Sequence, residues 1–141
     1  MTNDKTYPAC SDPTLVGTYP TSAYSGGGYV WDAVLEYRVW CHDSTDGSDG
    51  YYAFETYEDA LAFSQNTDGA DEPLALILQE EYISESAPGC YVHIRERRIT
   101  EWPPSFLSRP KRNARTIADF MAPDAPANRL DIIRGLAEPA K

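Results

Sequence analysis

The chain has no run of about 18 apolar residues, and its start, Met1-Thr2-Asn3-Asp4-Lys5-Thr6, has no basic region followed by an apolar stretch. Neither a membrane span nor a secretory signal is therefore expected, and the expected location is the cytoplasm. Cysteine is scarce: Cys10, Cys41 and Cys90 stand far apart with no C-x-x-C pair and no clustered histidine. That spacing excludes a zinc pattern and a disulfide-framed miniprotein. An odd cysteine count without a secretory signal fits a reducing compartment, where cysteine acts as a small buried hydrophobe. Positive charge is nearly absent from residues 1–90, where only Lys5 and Arg38 face sixteen acids, for a net −14.

What the chain does contain is enough for one globular domain: 141 residues, 42% hydrophobic and 12% aromatic. Residues 91–141 reverse the charge to a net +4, and residues 95–115 alone carry +5. Such asymmetry bears on partners rather than on fold. The acidic part repels nucleic acid and anionic lipid, so binding to nucleic acid is disfavoured and no membrane contact is expected. The basic part suits a phosphate, a carboxylate or the acidic half of a second copy, unless the two halves neutralise each other within one molecule.

Residues 1–28 hold three prolines and the run Gly26-Gly27-Gly28, and read as an extended N-terminal arm. From residue 29 to 41 the odd positions are Tyr29, Trp31, Ala33, Leu35, Tyr37, Val39 and Cys41, a period of two that predicts a long strand with one buried face. Residues 51–57 predict its hairpin partner. A helix follows, with Thr56 and Asp59 approximating a capping box and an apolar stripe of Tyr57, Ala60, Leu61 and Phe63. Residues 74–83 and 91–100 read as two further strands. The expected fold is α+β in a single domain: a ββαββ core over residues 29–101, with a helix packed on a mixed or antiparallel sheet. Residues 102–141 belong to the same domain, as a basic segment broken by Pro103, Pro104 and Pro110 that lies extended on the surface, a short helix at 116–121 and a helix at 127–137 with Leu130, Ile133, Leu136 and Ala137 on one face.

Four constellations carry chemistry. Cys41 and His42 are adjacent in a strand and point to opposite faces, so they cannot form a dyad, and Cys41 meets His93 only if the first and fourth strands are neighbours. His42, Asp43, Asp46 and Asp49 offer ligands for calcium but miss the EF-hand spacing, and read as a solvated hairpin loop. Gly26-Gly27-Gly28 precedes a strand rather than a helix, which makes it a flexible entry and not a phosphate cradle. The fourth is the strongest: His93, Arg95, Arg97, Trp102, Arg109, Lys111, Arg112 and Arg115 interleave cations with aromatics, a chemistry that grips anions and stacks on rings. Strand alternation places His93, Arg95 and Arg97 on one face, where they could converge on one anion.

The segments Ser25-Gly26-Gly27-Gly28-Tyr29-Val30-Trp31-Asp32, Glu36-Tyr37-Arg38-Val39-Trp40-Cys41-His42, Arg98-Ile99-Thr100-Glu101-Trp102-Pro103 and Asp124-Ala125-Pro126-Ala127-Asn128-Arg129-Leu130 resemble a family of small uncharacterised bacterial proteins often labelled as GNAT-type N-acetyltransferases. The resemblance covers most of the chain and implies acetyl-CoA as cofactor, with Arg95, Arg97 or the group from Arg109 to Arg115 taking the coenzyme phosphates. The acetyl-CoA loop of such enzymes, [RQ]-x-x-G-x-[GA], has no match in this chain. The residues therefore point first to a non-catalytic, cofactor-free interaction or regulatory module that meets a protein partner or a second copy through opposite charges. An acetyl-CoA-dependent acyltransferase is the alternative.

Overall fold

The computed structural model describes residues 7–21, 23–25, 27–42 and 49–137 of a single α+β domain. The acidic loop 43–48 and Gly26 lie outside the described residues, and with them the calcium reading of Asp43 and Asp46. A five-stranded sheet runs in the order β1-β7-β4-β2-β3, with β1 Tyr24–Ser25, β2 Ala33–His42, β3 Asp49–Phe54, β4 Leu74–Gln79 and β7 Arg98–Trp102. Its pairings are antiparallel except for the two-residue parallel match of β1 to β7. A separate hairpin is formed by β5 Tyr82–Ala87 and β6 Cys90–Ile94. Helices α1 Tyr57–Gln65, α2 Thr116–Met121 and α3 Arg129–Ile133 complete the domain, and no described helix is long and apolar enough to cross a membrane.

The hairpin of β2 with β3 and the helix after it form as expected. The Thr56 side chain accepts from the backbone N–H of Asp59 at 3.2 Å, satisfying one of the free donors of the first turn of α1. The two later strands are each broken in two. Glu80 and Glu81 interrupt 74–83, and Arg95, Glu96 and Arg97 interrupt 91–100, so the second half of one and the first half of the other leave the main sheet together as the β5–β6 hairpin.

Two apolar cores result. Trp31, Val34, Tyr37, Val39, Ala75, Ile77, Trp102 and Leu107 pack with Ala60 of α1 on one face of the main sheet. Tyr29, Val30, Ile83, Ile117, Phe120 and Ile133 join the β5–β6 hairpin to α2 and α3. The chain passes between the cores at Val30, which is fully buried and held at φ 75°. A left-handed turn is costly for a β-branched residue, and here it aims Tyr29 and Val30 into one core and Trp31 into the other.

The alternation expected of β2 is corrected in two respects. A register shift between Val34 and Glu36 inserts Leu35 as an extra residue, so that Val34 shares a core with Tyr37 and Val39. The opposite face is buried as well: Glu36 and Arg38 are fully enclosed, because the N-terminal arm covers them. Arg38 Nε donates to Glu36 Oε2 at 2.7 Å and Nη1 to Glu101 Oε2 at 3.0 Å, while Nη2 and Nη1 donate to the carbonyls of Pro20 and Thr21 at 2.6 and 3.2 Å. Gly17 N–H and Trp40 Nε1 donate to Glu36 and Glu101 in turn, and the guanidinium lies 4.2 Å from the Tyr51 ring centroid. On the other face the Tyr37 hydroxyl donates to the carbonyl of Pro8, and the Tyr7 and Tyr57 rings pack edge to face at 4.7 Å.

The C-terminal part also departs from expectation. Residues 102–112 are not a surface ribbon: Trp102 is fully buried at the end of β7, and Pro104–Ser108 forms a 3-10 turn that buries Leu107. The last helix is shorter than residues 127–137, with Ile133 buried but Leu136 73% exposed. Gly135, at φ 76°, ends it beside the Ser108 carbonyl, where a Cβ would lie only 2.1 Å from the oxygen.

Replacing Arg38 by Met should strip two enclosed carboxylates of their partner. We expect a loss of about 3–5 kcal/mol in urea unfolding and faster chymotryptic cleavage after Tyr24 as the arm lifts. An unchanged urea midpoint would contradict this role.

Candidate functional site

The predicted site residues separate into those that hold the fold and those that do not. Trp102 and Arg109 belong to the first group. Trp102 Nε1 donates to the Gly27 carbonyl at 2.9 Å, and Arg109 Nη1 to the Gly28 carbonyl at 2.7 Å. The Arg109 guanidinium lies 3.8 Å from the ring centroid of Phe106, 4.8 Å from Tyr29 and 5.3 Å from Trp102. Its burial lowers its pKa by penalising the charged form, and the aromatic faces offset that cost. Trp31 Nε1 closes the unit by donating to the Arg109 carbonyl at 2.8 Å.

Arg98 is bound into the same region. Its Nε donates to Gln79 Oε1 at 2.7 Å, and Gln79, fully buried, donates through Nε2 to the Val30 carbonyl at 3.0 Å. The guanidinium lies 4.1 Å from the Tyr82 ring centroid and 5.4 Å from that of Tyr24. The glycines are shaped to this packing. At Gly28, φ 76°, a Cβ would meet Gln79 Nε2 at 2.8 Å and Arg98 Nη2 at 2.9 Å, whereas at Gly27 the nearest atom is 3.5 Å away. The glycine run is therefore a docking point for arginine and tryptophan rather than a flexible entry, as far as its described members Gly27 and Gly28 go.

Arg112 and Lys111 line the junction of the two cores. Arg112 Nε donates to Asp32 Oδ1 at 2.8 Å, Nη1 approaches Glu81 Oε2 at 3.7 Å, and the backbone N–H donates to the Trp31 carbonyl at 2.7 Å. Lys111 is exposed, with its ammonium 5.7 Å from the Trp31 ring centroid. Arg115 projects into solvent and pairs at 3.3 Å with Asp119, one turn along α2. Such an exposed pair adds little stability.

His93, Arg95 and Arg97 do not converge. The connection 95–97 leaves strand geometry as it crosses from β6 to β7, and its two arginines part. Arg97 lies with Tyr24, Arg98 and Ile99 along a groove of about 540 Å³, and approaches Glu80 at 3.7 Å. Arg95 lies with His93, Glu81 and Arg112 in a cleft of about 510 Å³ between the hairpin and α2, whose other walls include Ile117, Ala118 and Met121. The Arg95 side chain makes no hydrogen bond or ion pair among the described residues. His93 Nε2 is 2.7 Å from Glu81 Oε1. The Glu81 carboxyl is held below its usual range by that hydrogen bond and by the cations Arg112 and Arg95. An ionised carboxylate only accepts, so in this contact Nε2 carries a proton and donates.

The Cys41 and His93 pairing is excluded. β2 lies between β3 and β4, and His93 is on the separate hairpin. Cys10 is buried, Cys41 half-buried and Cys90 exposed. Among the described residues no group of three His, Cys, Asp or Glu side chains is placed to hold a metal ion. Sequence reasoning missed Glu81, Asp32, Gln79, Tyr24 and Tyr82, all brought to the arginines by tertiary packing. The one available signal was Glu80-Glu81, two acids in the middle of a supposed apolar strand. Comparison of the chain with family models, curated proteins and solved structures gave no match.

Two outcomes follow. Gly28→Ala should destabilise by about 1–3 kcal/mol and clearly more than Gly27→Ala, as read by urea unfolding: Gly27 is also left-handed, at φ 84°, so the excess reports the clash with Gln79 and Arg98, and equal effects would contradict the packing described. Because the Glu81 pKa is lowered on folding, its contribution is present above the ordinary carboxyl value of about 4.3 and is lost as pH falls through the lowered one. Thermal unfolding of Glu81→Gln should accordingly show a shallower fall of Tm with acidification than the parent, and identical profiles would count against the pairing.

Proposed function

We propose that the protein is a non-catalytic interaction module whose working surface is the connection 95–97 with its two flanking depressions, and whose partner is an acidic segment of another protein. The observation that carries this reading is the division among the cations. Arg38, Arg98, Arg109 and Arg112 are occupied by carboxylates, carbonyls or aromatic faces, while Arg95 and the largely exposed Arg97, separated by Glu96, have almost no role in the scaffold. Exposed cations beside partly apolar depressions attract and orient an acidic chain more than they stabilise their own fold. The acidic first ninety residues disfavour nucleic acid as the partner.

The acyltransferase alternative would place a pyrophosphate at a helix N-terminus. The first turn of α1, the helix that follows β3, is capped by the Thr56 side chain and carries Glu58 and Asp59, which would repel the phosphates. This weighs against coenzyme A at that position.

The test is fluorescence anisotropy with a labelled peptide of alternating Glu and Leu, and its Gln counterpart as control. The Glu peptide should bind in a salt-sensitive manner, and Arg95→Glu with Arg97→Glu should weaken it by at least about tenfold, or about 1.4 kcal/mol, with Tm unchanged. Absence of binding, or binding indifferent to the charge reversals, would overturn the reading. A thermal shift of several degrees with millimolar acetyl-CoA would favour the enzyme instead.

A further inference from the structure

We infer that the cleft between β6 and α2 is a carboxylate subsite with an apolar wall, and that it takes an acidic side chain of the partner segment together with a neighbouring aliphatic one. The inference rests on the interaction reading above and goes further by fixing the chemistry of the segment. Three observations converge on it. The rim holds a guanidinium that makes no hydrogen bond or ion pair among the described residues, Arg95, beside Arg112, whose Nη1 is only loosely engaged at 3.7 Å. An incoming carboxylate thus meets two cations while Glu81 stays held by His93. The opposite wall is apolar, formed by Ile117, Ala118 and Met121, and Met121 is 37% exposed although it ends a helix whose Ile117 and Phe120 are buried. An unbranched thioether at such a wall adapts to aliphatic side chains of varied shape. At about 510 Å³ the cleft has room for one acidic and one aliphatic side chain, and not only for an ion.

The geometry separates two modes of recognition. A cationic ridge alone would bind acidic peptides regardless of their apolar residues. A cleft of this composition discriminates, because burying the aliphatic group against Ile117 and Met121 adds to the pairing at Arg95 only when both are present on adjacent positions.

The probe is 4-methylpentanoate, which joins one carboxylate to a branched aliphatic body, with 4-methylpentanamide and acetate as controls, followed by NMR on the intact protein. The methyl of Met121, the ring protons of His93 and the Arg95 side chain should shift together and saturably with 4-methylpentanoate in the millimolar range. The amide and acetate should shift them several-fold less at equal concentration. Arg95→Gln should weaken the response at least about threefold while Arg97→Gln leaves it intact, and the Glu–Leu peptide should compete with the probe. Shifts scattered over the surface, equal response to acetate, or none would overturn the subsite even if the Glu–Leu peptide still binds through Arg97. Saturable binding of the probe without any binding of the peptide would retain the cleft's carboxylate chemistry and overturn its assignment to a protein segment, and with it the interaction reading. Failure of both ligands would remove both proposals.

Discussion

The buried guanidinium of Arg38 is the constraint on which the arrangement of the chain depends. It stands on β2, between β3 and β4, on the face turned away from α1, and each of its three nitrogens is engaged, with two carboxylates, Glu36 and Glu101, and two carbonyls of the N-terminal arm. A charge enclosed in this way is tolerable only with full partners, so it dictates that residues 17–21 cross the sheet and that β7 lie within reach of β2 across β4. The arm, poor in regular structure, is thereby made part of the core. It binds one face through Arg38 and the other through the contact of Tyr37 with Pro8 and the packing of Tyr7 on Tyr57, then ends as the edge strand beside β7.

The same chemistry recurs at the junction of the two cores. Arg98 and Arg109 are laid against tyrosine, tryptophan and phenylalanine rings, with glycine carbonyls or a buried glutamine amide as hydrogen-bond partners instead of carboxylates. Planar guanidinium groups suit this use, since they stack on rings while donating in their own plane. The glycines at 27 and 28 and the left-handed Val30 let the backbone approach them closely. The charge asymmetry of the sequence is thus partly resolved inside the molecule, through Arg38 with Glu36 and Glu101 and through Arg112 with Asp32. The remainder is left at the surface along Arg95, Arg97 and Arg115.

Local signals were legible where local physics decides the outcome. The capping of α1 by Thr56, the hairpin of β2 with β3 and the helix at Thr116–Met121 each follow from spacing and residue type within a dozen positions. What could not be read depended on distant partners. The extra residue at Leu35 changes which side chains reach the core, and the period-two pattern continues through it without a break. Glu36 and Arg38 look like a solvent face until the arm is placed over them. Trp102 and Arg109 resemble an exposed stacking site because proline-rich sequence suggests surface, yet the 3-10 turn at Pro104–Ser108 folds them inward. Of the predicted site, His93, Arg95 and Arg112 do share a cleft, though the carboxylate that organises it, Glu81, was hidden in what looked like a continuous strand.

The division of labour among these chemically identical side chains is tested most directly by a scan. Each of Arg38, Arg95, Arg97, Arg98, Arg109, Arg112 and Arg115 would be changed singly to Gln, with Tm and affinity for one acidic peptide measured on every variant. Two classes are expected: Arg38, Arg98 and Arg109 lower Tm by several degrees, while Arg95 and Arg97 leave Tm within a degree or so and weaken the peptide. A single graded class, in which loss of affinity simply tracks loss of stability, would contradict it.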